Sequence, residues 1–234
     1  MNKLYYILVF IFPSLVQAQD TIQFEERVPM EFKADSKEKT LEVQLEPFGN
    51  NPISINGIRA RWFSSPQRAF RLNAFIGMNS DTEITQQALE VASLKELKKK
   101  SNIYSVNIRP GFERHLKGTK RLSPYFGTEL DLAYQYSSTK DEFQVDMDVN
   151  YTRKINENGY YRIGLNFIAG FDLYVAKKLY LGTEFGYGAS FTKLQDVKIK
   201  SNREGFVAPE PQKRGSSFDV GTNVNAQIRL GYAF

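Results

Sequence analysis

From Phe218 to Phe234 the chain alternates between apolar and polar residues without a break, and few folds tolerate such a run. Even positions read Phe218, Val220, Thr222, Val224, Ala226, Ile228, Leu230, Tyr232 and Phe234; odd positions read Asp219, Gly221, Asn223, Asn225, Gln227, Arg229, Gly231 and Ala233. A period of two sends successive side chains to opposite faces of a strand. A strand that keeps its oily face up to a final Tyr-Ala-Phe is expected to close a sheet, with its aromatic end at a lipid interface. The expectation for the whole chain is an all-β, eight-stranded antiparallel up-and-down transmembrane β-barrel.

Alternating segments recur eight times from Leu41 onward, centred on 41–48, 58–63, 70–78, 104–113, 124–136, 161–175, 179–191 and 218–234. An even number suits a bacterial barrel with both termini on one side. The connections at 64–69, 114–123 and 176–178 are short, and those at 79–103, 137–160 and 192–217 are long. Short turns are expected on the periplasmic side and long loops outside, with the 49–57 connection the one modest external loop.

Charge sorts between the two parities of each strand. Glu42, Glu46, Arg59, Arg61, Arg71, Arg109, Glu113, Glu129, Asp131, Arg162, Asp172, Glu184, Asp219 and Arg229 share one face of the segments. The opposite face of these segments carries none, as a lipid-facing surface requires when an Arg or Lys near mid-bilayer costs roughly 2–4 kcal/mol. A soluble lipocalin-like barrel would show the same alternation inside out. Glycine argues against it: Gly77, Gly111, Gly127, Gly164, Gly170, Gly182, Gly186, Gly188, Gly221 and Gly231 lie on the charged parity. Glycine weakens a strand and gains nothing on a solvated exterior, whereas in a narrow interior it makes room for long side chains. Aromatics on the apolar parity, among them Trp62, Phe112, Phe126, Tyr134, Tyr161, Tyr187 and Phe218, gather toward the strand ends as two interfacial girdles.

Residues 1–18 combine Lys3, the apolar run Leu4–Val16 and the small-x-small sequence Val16-Gln17-Ala18, the pattern of a signal peptide cleaved before Gln19. About thirteen apolar residues interrupted by Pro13 fall short of the ~20 that a spanning helix needs. Residues 19–39 read as a polar periplasmic leader, in which Ile22, Phe24, Val28, Met30 and Phe32 could add a short strand; residues 40–234 form the barrel. The formal charge of +5 is dispersed rather than gathered on one helix, so nucleic acid is not an expected partner. The chain has no Cys, which excludes disulfides and thiolate chemistry.

The long loops differ in pattern. Ala88, Val91 and Leu94 followed by Lys98-Lys99-Lys100 predict a short amphipathic helix within 84–100. Phe143, Val145, Met147, Val149 and Tyr151 alternate with polar residues, which predicts a hairpin prolonged beyond the membrane. Lys198, Lys200, Arg203, Lys213 and Arg214 make the last loop basic, and lipopolysaccharide phosphates are the nearest anions for it.

The pattern resembles small outer-membrane barrels of the OmpX type. Residues 112–127 (FERHLKGTKRLSPYFG) and 174–182 (YVAKKLYLG) resemble hairpins of outer-membrane β-barrel proteins of Bacteroidota, and the likeness spans Leu41–Phe234. It implies an outer-membrane location, contact with lipid and lipopolysaccharide, and insertion by the barrel assembly machinery. The insertion signal of such proteins is matched by Gln227, Tyr232 and Phe234, with Arg229 where that signal has Gly. Most members of such families have no assigned activity.

Lipid A-modifying enzymes also use small barrels, but a serine hydrolase needs a His beside its Ser. His115, the one histidine, is placed by strand direction at the short-turn end, away from the outer leaflet. No catalytic residue, cofactor or metal is assigned. Six arginines and eight acids on one face instead predict a lumen cross-linked by ion pairs. The expected role is non-enzymatic, through external loops or as an accessory subunit of an outer-membrane complex; the alternatives are a lipid A-modifying enzyme and a narrow solute channel. Removing Arg109 and Arg162 together is expected to leave acids in excess and open a cation leak.

Overall fold

The structure, a computed structural model, describes residues 31–45, 55–88, 94–222 and 228–234. The strands are β1 (Lys39–Leu45), β2 (Ile55–Ser65), β3 (Arg68–Gln86), β4 (Leu97–His115), β5 (Leu122–Val145), β6 (Asp148–Ile155), β7 (Tyr160–Ala176), β8 (Leu179–Leu194), β9 (Lys198–Ser201), β10 (Ser216–Thr222) and β11 (Ile228–Ala233). All pairings are antiparallel. Pairing runs β1-β2-β3-β4-β5-β7-β8-β11, and β11 returns to β1 with Thr40 opposite Ala233 and Leu45 opposite Ile228. The ring is therefore closed by eight strands, and β10 continues β11's place beside β8 at the long-loop end. Signal peptide, most of the leader and Glu46 lie outside the described residues; residues 31 and 32, the described part of the possible leader strand, are not in a strand.

Burial follows the alternation: β1 exposes Lys39 and Leu41 while burying Thr40, Glu42 and Gln44. Leu and aromatic residues cover the outside, and guanidiniums and carboxylates fill the inside. Outward aromatics form cross-strand ladders, with Trp62–Phe70 and Phe70–Phe112 centroids 5.6 and 5.4 Å apart at the short-turn end. Tyr104–Tyr136 and Tyr134–Tyr161 lie 6.2 and 5.2 Å apart at the other. Such rings, with an apolar body and a polar tip, suit the two membrane interfaces.

Beyond the second aromatic level the sheet continues. β3 and β4 stay paired out to Gln86 and Leu97, β5 turns into β6 through Asp146 and Met147, and β9 adds along β6. Asp146 takes a left-handed φ of 53°, which a short polar side chain tolerates in a tight turn. The amphipathic helix expected within 84–100 is not found in its described part: residues 84–86 belong to β3 and 97–100 to β4. Cross-strand pairing explains the difference, since Lys99 and Lys100 each face both β3 and β5 and have no free backbone to give a helix.

At the short-turn end, residues 31–38 lie across the mouth of the ring. Lys37 N–H donates to Phe63 C=O (2.8 Å), Lys178 N–H to Phe32 C=O (3.0 Å), and Ala34 N–H to the Tyr174 hydroxyl (3.2 Å). Lys178 Nζ reaches Glu38 Oε1 at 2.7 Å. Ala34 packs with Phe63, Ala69 and Ala233 in a small apolar core that closes this end.

Candidate functional site

The interior is organised by Arg61 and Arg71, which stand directly opposite each other on β2 and β3. Like charges at opposed positions repel, and the surrounding strands answer with acids. Arg61 places Nε 2.7 Å from Glu42 Oε1, Nη1 3.0 Å from Glu113 Oε2 and Nη2 2.8 Å from Asp172 Oδ2. Arg71 reaches Glu113 at 2.9 Å and Glu129 at 3.1 Å, and holds both oxygens of Glu184 at 2.8 and 2.9 Å. Glu184 receives a second fork from Arg59 at 3.1 and 3.0 Å, and the Tyr125 hydroxyl donates to it at 2.6 Å. Arg229 lies 2.9 Å from Glu42 and 3.5 Å from Asp172. A planar guanidinium can serve several carboxylates from fixed positions, which a lysine ammonium cannot.

Above this layer the ions are looser. Arg109 lies 3.4 Å from Asp131 and 3.6 Å from Glu129, and Arg162 lies 3.1 Å from Asp131. Their side chains are 19% and 28% exposed, whereas Arg61 and Arg71 are fully buried. Neutral groups bind the layers together: Asn73 accepts from Arg59 Nε (2.5 Å) and donates to Glu129 (2.9 Å), and Asn107 donates to Asp131.

Of the fourteen charged residues assigned to the lumen, twelve meet in these contacts. Glu46 lies outside the described residues. Asp219 is exposed: β10 pairs only with β8 among the described strands, and the Asp219 carboxylate accepts from the Ser217 hydroxyl (3.0 Å) instead. The described interior therefore holds Arg59, Arg61, Arg71, Arg109, Arg162 and Arg229 against Glu42, Glu113, Glu129, Asp131, Asp172 and Glu184, six charges of each sign. Of the insertion-signal residues, Tyr232 and Phe234 project outward, 52% and 64% exposed, and Gln227 lies outside the described residues.

Sequence reasoning passed over the aromatics inside. Phe63, Tyr125 and Tyr180 surround Arg61, whose Cζ lies 5.5, 5.8 and 5.1 Å from their ring centroids. The Tyr180 hydroxyl donates to Glu42 (3.0 Å). All three share the parity of the charged residues, so the signal was present; glycine provides the room, since a Cβ on Gly231 would fall 2.2 Å from Tyr180 Cζ.

Between Arg59, Arg109, Glu129 and Glu184 the free cavity is about 20 Å³, room for about one water. Arg61 and Arg71, one layer closer to the short turns, have fully buried side chains. Loss of Arg109 and Arg162 would widen only the upper vestibule. The leak expected from removing them meets a layer below both, where Arg61, Arg71 and Arg229 stay buried and paired.

His115 sits at the bottom of the lumen. Its Nδ1 is 2.9 Å from Ser123 Oγ and its Nε2 3.2 Å from Glu113 Oε2. Serine, imidazole and carboxylate in series are the components of an acyl-transfer relay. Here the carboxylate is already held by Arg61 and Arg71, and the imidazole packs between Phe63 and Tyr125 with centroids 5.2 Å from each. The imidazole is thus buried, with both ring nitrogens hydrogen-bonded inside the lumen floor.

The family comparison agrees with the outer-membrane reading. No curated protein sequence matches the chain. Among solved structures, Acinetobacter baumannii CarO aligns at a TM-score of 0.38 and 12% identity over 85% of this chain and 98% of CarO. A. baumannii CarO2 aligns at 0.35 and 12% over 86% and 100%. The model of the putative OmpA-OmpF-like porin family matches residues 31–208, well over half of the sequence. With a closed ring of amphipathic strands, lipid-facing aromatics and a charged interior already in place, that match assigns the chain to the OmpA-OmpF-like porin family of outer-membrane β-barrel proteins.

Proposed function

We propose that the protein is a non-enzymatic outer-membrane barrel of the small OmpX kind, closed to solutes, that presents the sheet beyond its long-loop end as an external docking platform. The partner is another envelope or extracellular component, or a larger outer-membrane complex in which this barrel is an accessory subunit. The observation that carries this reading is the length of the strands. β5 runs nine residues past Tyr136, the last aromatic of its upper belt, to Val145, about 30 Å of strand at 3.4 Å per residue. A barrel that only anchored itself would have no use for so much paired sheet.

That platform is polar and ordered by its own ion pairs. Lys140 Nζ holds Glu142 Oε1 at 2.7 Å, and this hydrogen bond, opposed by partial desolvation, keeps the Glu142 pKa below the usual carboxylate value. Lys198, Lys200, Arg203 and Lys213 are exposed along the β9 side, suited to lipopolysaccharide phosphates. In the proposed orientation both termini are periplasmic, and Tyr232 and Phe234 present the insertion signal to the assembly machinery. A narrow solute channel is the second reading, favoured by the porin family; the sealed ion layer opposes it.

Single cysteines at Lys99, Asp148 and Lys200, all exposed on the platform, should label with an impermeant maleimide on intact cells. Cysteines at Gln67 and Lys177, exposed at the short-turn end, should not. With a maleimide cross-linker, the first three should also capture one partner in near-stoichiometric yield from native membrane. The reverse labelling pattern contradicts the orientation, and labelling without any captured partner contradicts the platform role.

A further inference from the structure

At the short-turn end, off the ion network, a cleft of about 630 Å³ opens between the 31–34 segment, the β2–β3 turn and the β4–β5 connection. Its size lies within the roughly 300–1,000 Å³ of small-molecule sites. Phe32, Phe63, Pro66 and Leu116 give it apolar walls, and Lys33, Lys117 and Lys120 stand on it as cations. Glu31 is the one acid lining it, and Lys177 Nζ already holds that carboxylate at 2.8 Å. None of the three lysine ammoniums meets a carboxylate within 4.0 Å among the described residues. The cleft is thus apolar in its body and carries an uncompensated positive charge. It also adjoins the Trp62–Phe70–Phe112 belt, where lipid chains end and headgroups begin.

We propose that this cleft binds a single-chain amphiphilic anion, an acyl chain lying along Phe32, Phe63, Pro66 and Leu116 with a carboxylate or phosphate headgroup held by Lys33, Lys117 and Lys120. The apolar wall accounts for a chain, and the lysines discriminate against neutral and zwitterionic lipids of the same length. Desolvation lowers the Lys33 pKa below the ordinary lysine value, so an anion placed beside it would offset a cost the free protein carries. Neither the docking platform nor the orientation of the barrel enters this inference.

The test is a titration of the intact protein, in a maltoside detergent, with a dansyl-labelled fatty acid. Saturable fluorescence enhancement is expected, displaced by palmitate or lysophosphatidic acid and not by a monoacylglycerol or lysophosphatidylcholine. Displacement by palmitate alone assigns a carboxylate headgroup, and by lysophosphatidic acid alone a phosphate. The triple variant Lys33→Glu, Lys117→Glu, Lys120→Glu should bind at least tenfold more weakly. Leu116→Asp, at a half-exposed position that the barrel does not need, should weaken binding while leaving heat-modifiable gel mobility intact. Non-saturable binding, equal displacement by the neutral lipid, or undiminished binding by the folded triple variant would overturn the proposal.

Discussion

Arg61→Ala should leave the barrel unable to hold its folded form at moderate denaturant. The guanidinium is fully buried and touches Glu42, Glu113 and Asp172 at 2.7, 3.0 and 2.8 Å. Its removal takes one cation from three buried acids at once, leaving Glu42 and Asp172 to Arg229 and Glu113 to Arg71. Breaking a buried ion pair by deleting one partner costs on the order of 3–5 kcal/mol, a large share of the 5–15 kcal/mol that typically separates folded from unfolded chains. The lost contacts with Phe63, Tyr125 and Tyr180 add to that. Arg61→Lys should recover only part, because one ammonium cannot reach three acids on three strands. The chain has one tryptophan, Trp62, next in sequence and on the lipid face. Its emission during guanidinium unfolding from detergent reads the midpoint directly, and an unchanged midpoint in Arg61→Ala would contradict the central place given to this residue.

Gly231→Val should also destabilise the barrel, for a steric reason. A Cβ at position 231 would lie 2.2 Å from Tyr180 Cζ and 2.3 Å from its hydroxyl oxygen. Tyr180 cannot retreat: it is fully buried, faces Gly231 across the β8–β11 pair and donates to Glu42. Overpacking of a closed interior typically costs about 1–3 kcal/mol, and here the cost falls on the seam that closes the ring. The pair Gly231→Val with Tyr180→Ala should be more stable than the sum of the single changes predicts, since the two residues share one space. Additive losses in a double-mutant cycle, read from the same Trp62 transition, would show that the seam does not depend on this fit.

Fold class and strand placement were legible in the sequence because lipid punishes a charge on the wrong parity in every strand. Twelve of the fourteen lumen residues follow from that rule alone. It does not hold for Asp219 because parity says nothing of whether a neighbour covers the strand. Asp219 shares the lumen parity yet is exposed, on a strand that pairs with β8 alone among the described strands. The interior tyrosines are not legible in this way, because an aromatic residue in a strand reads as a lipid marker, while in a narrow lumen rings lie against guanidiniums where glycine clears the space. The 84–100 helix was read from spacing, but paired neighbours on both sides hold Lys99 and Lys100 extended. The overlay of residues 31–38 on the mouth left no periodic signal, since it is tied by backbone hydrogen bonds that composition does not reveal.

The proposal that the lumen is closed to solutes is tested most directly by conductance in planar lipid bilayers. With six guanidiniums and six carboxylates paired inside and the tightest layer fully buried, the purified protein should show no steady current beyond small, infrequent events. The variant Arg109→Ser with Arg162→Ser should stay equally silent, because both residues lie above the seal formed by Arg59, Arg61, Arg71 and Arg229. Large, stable channels from the unmodified protein would contradict the closed interior and raise the solute-channel reading in its place.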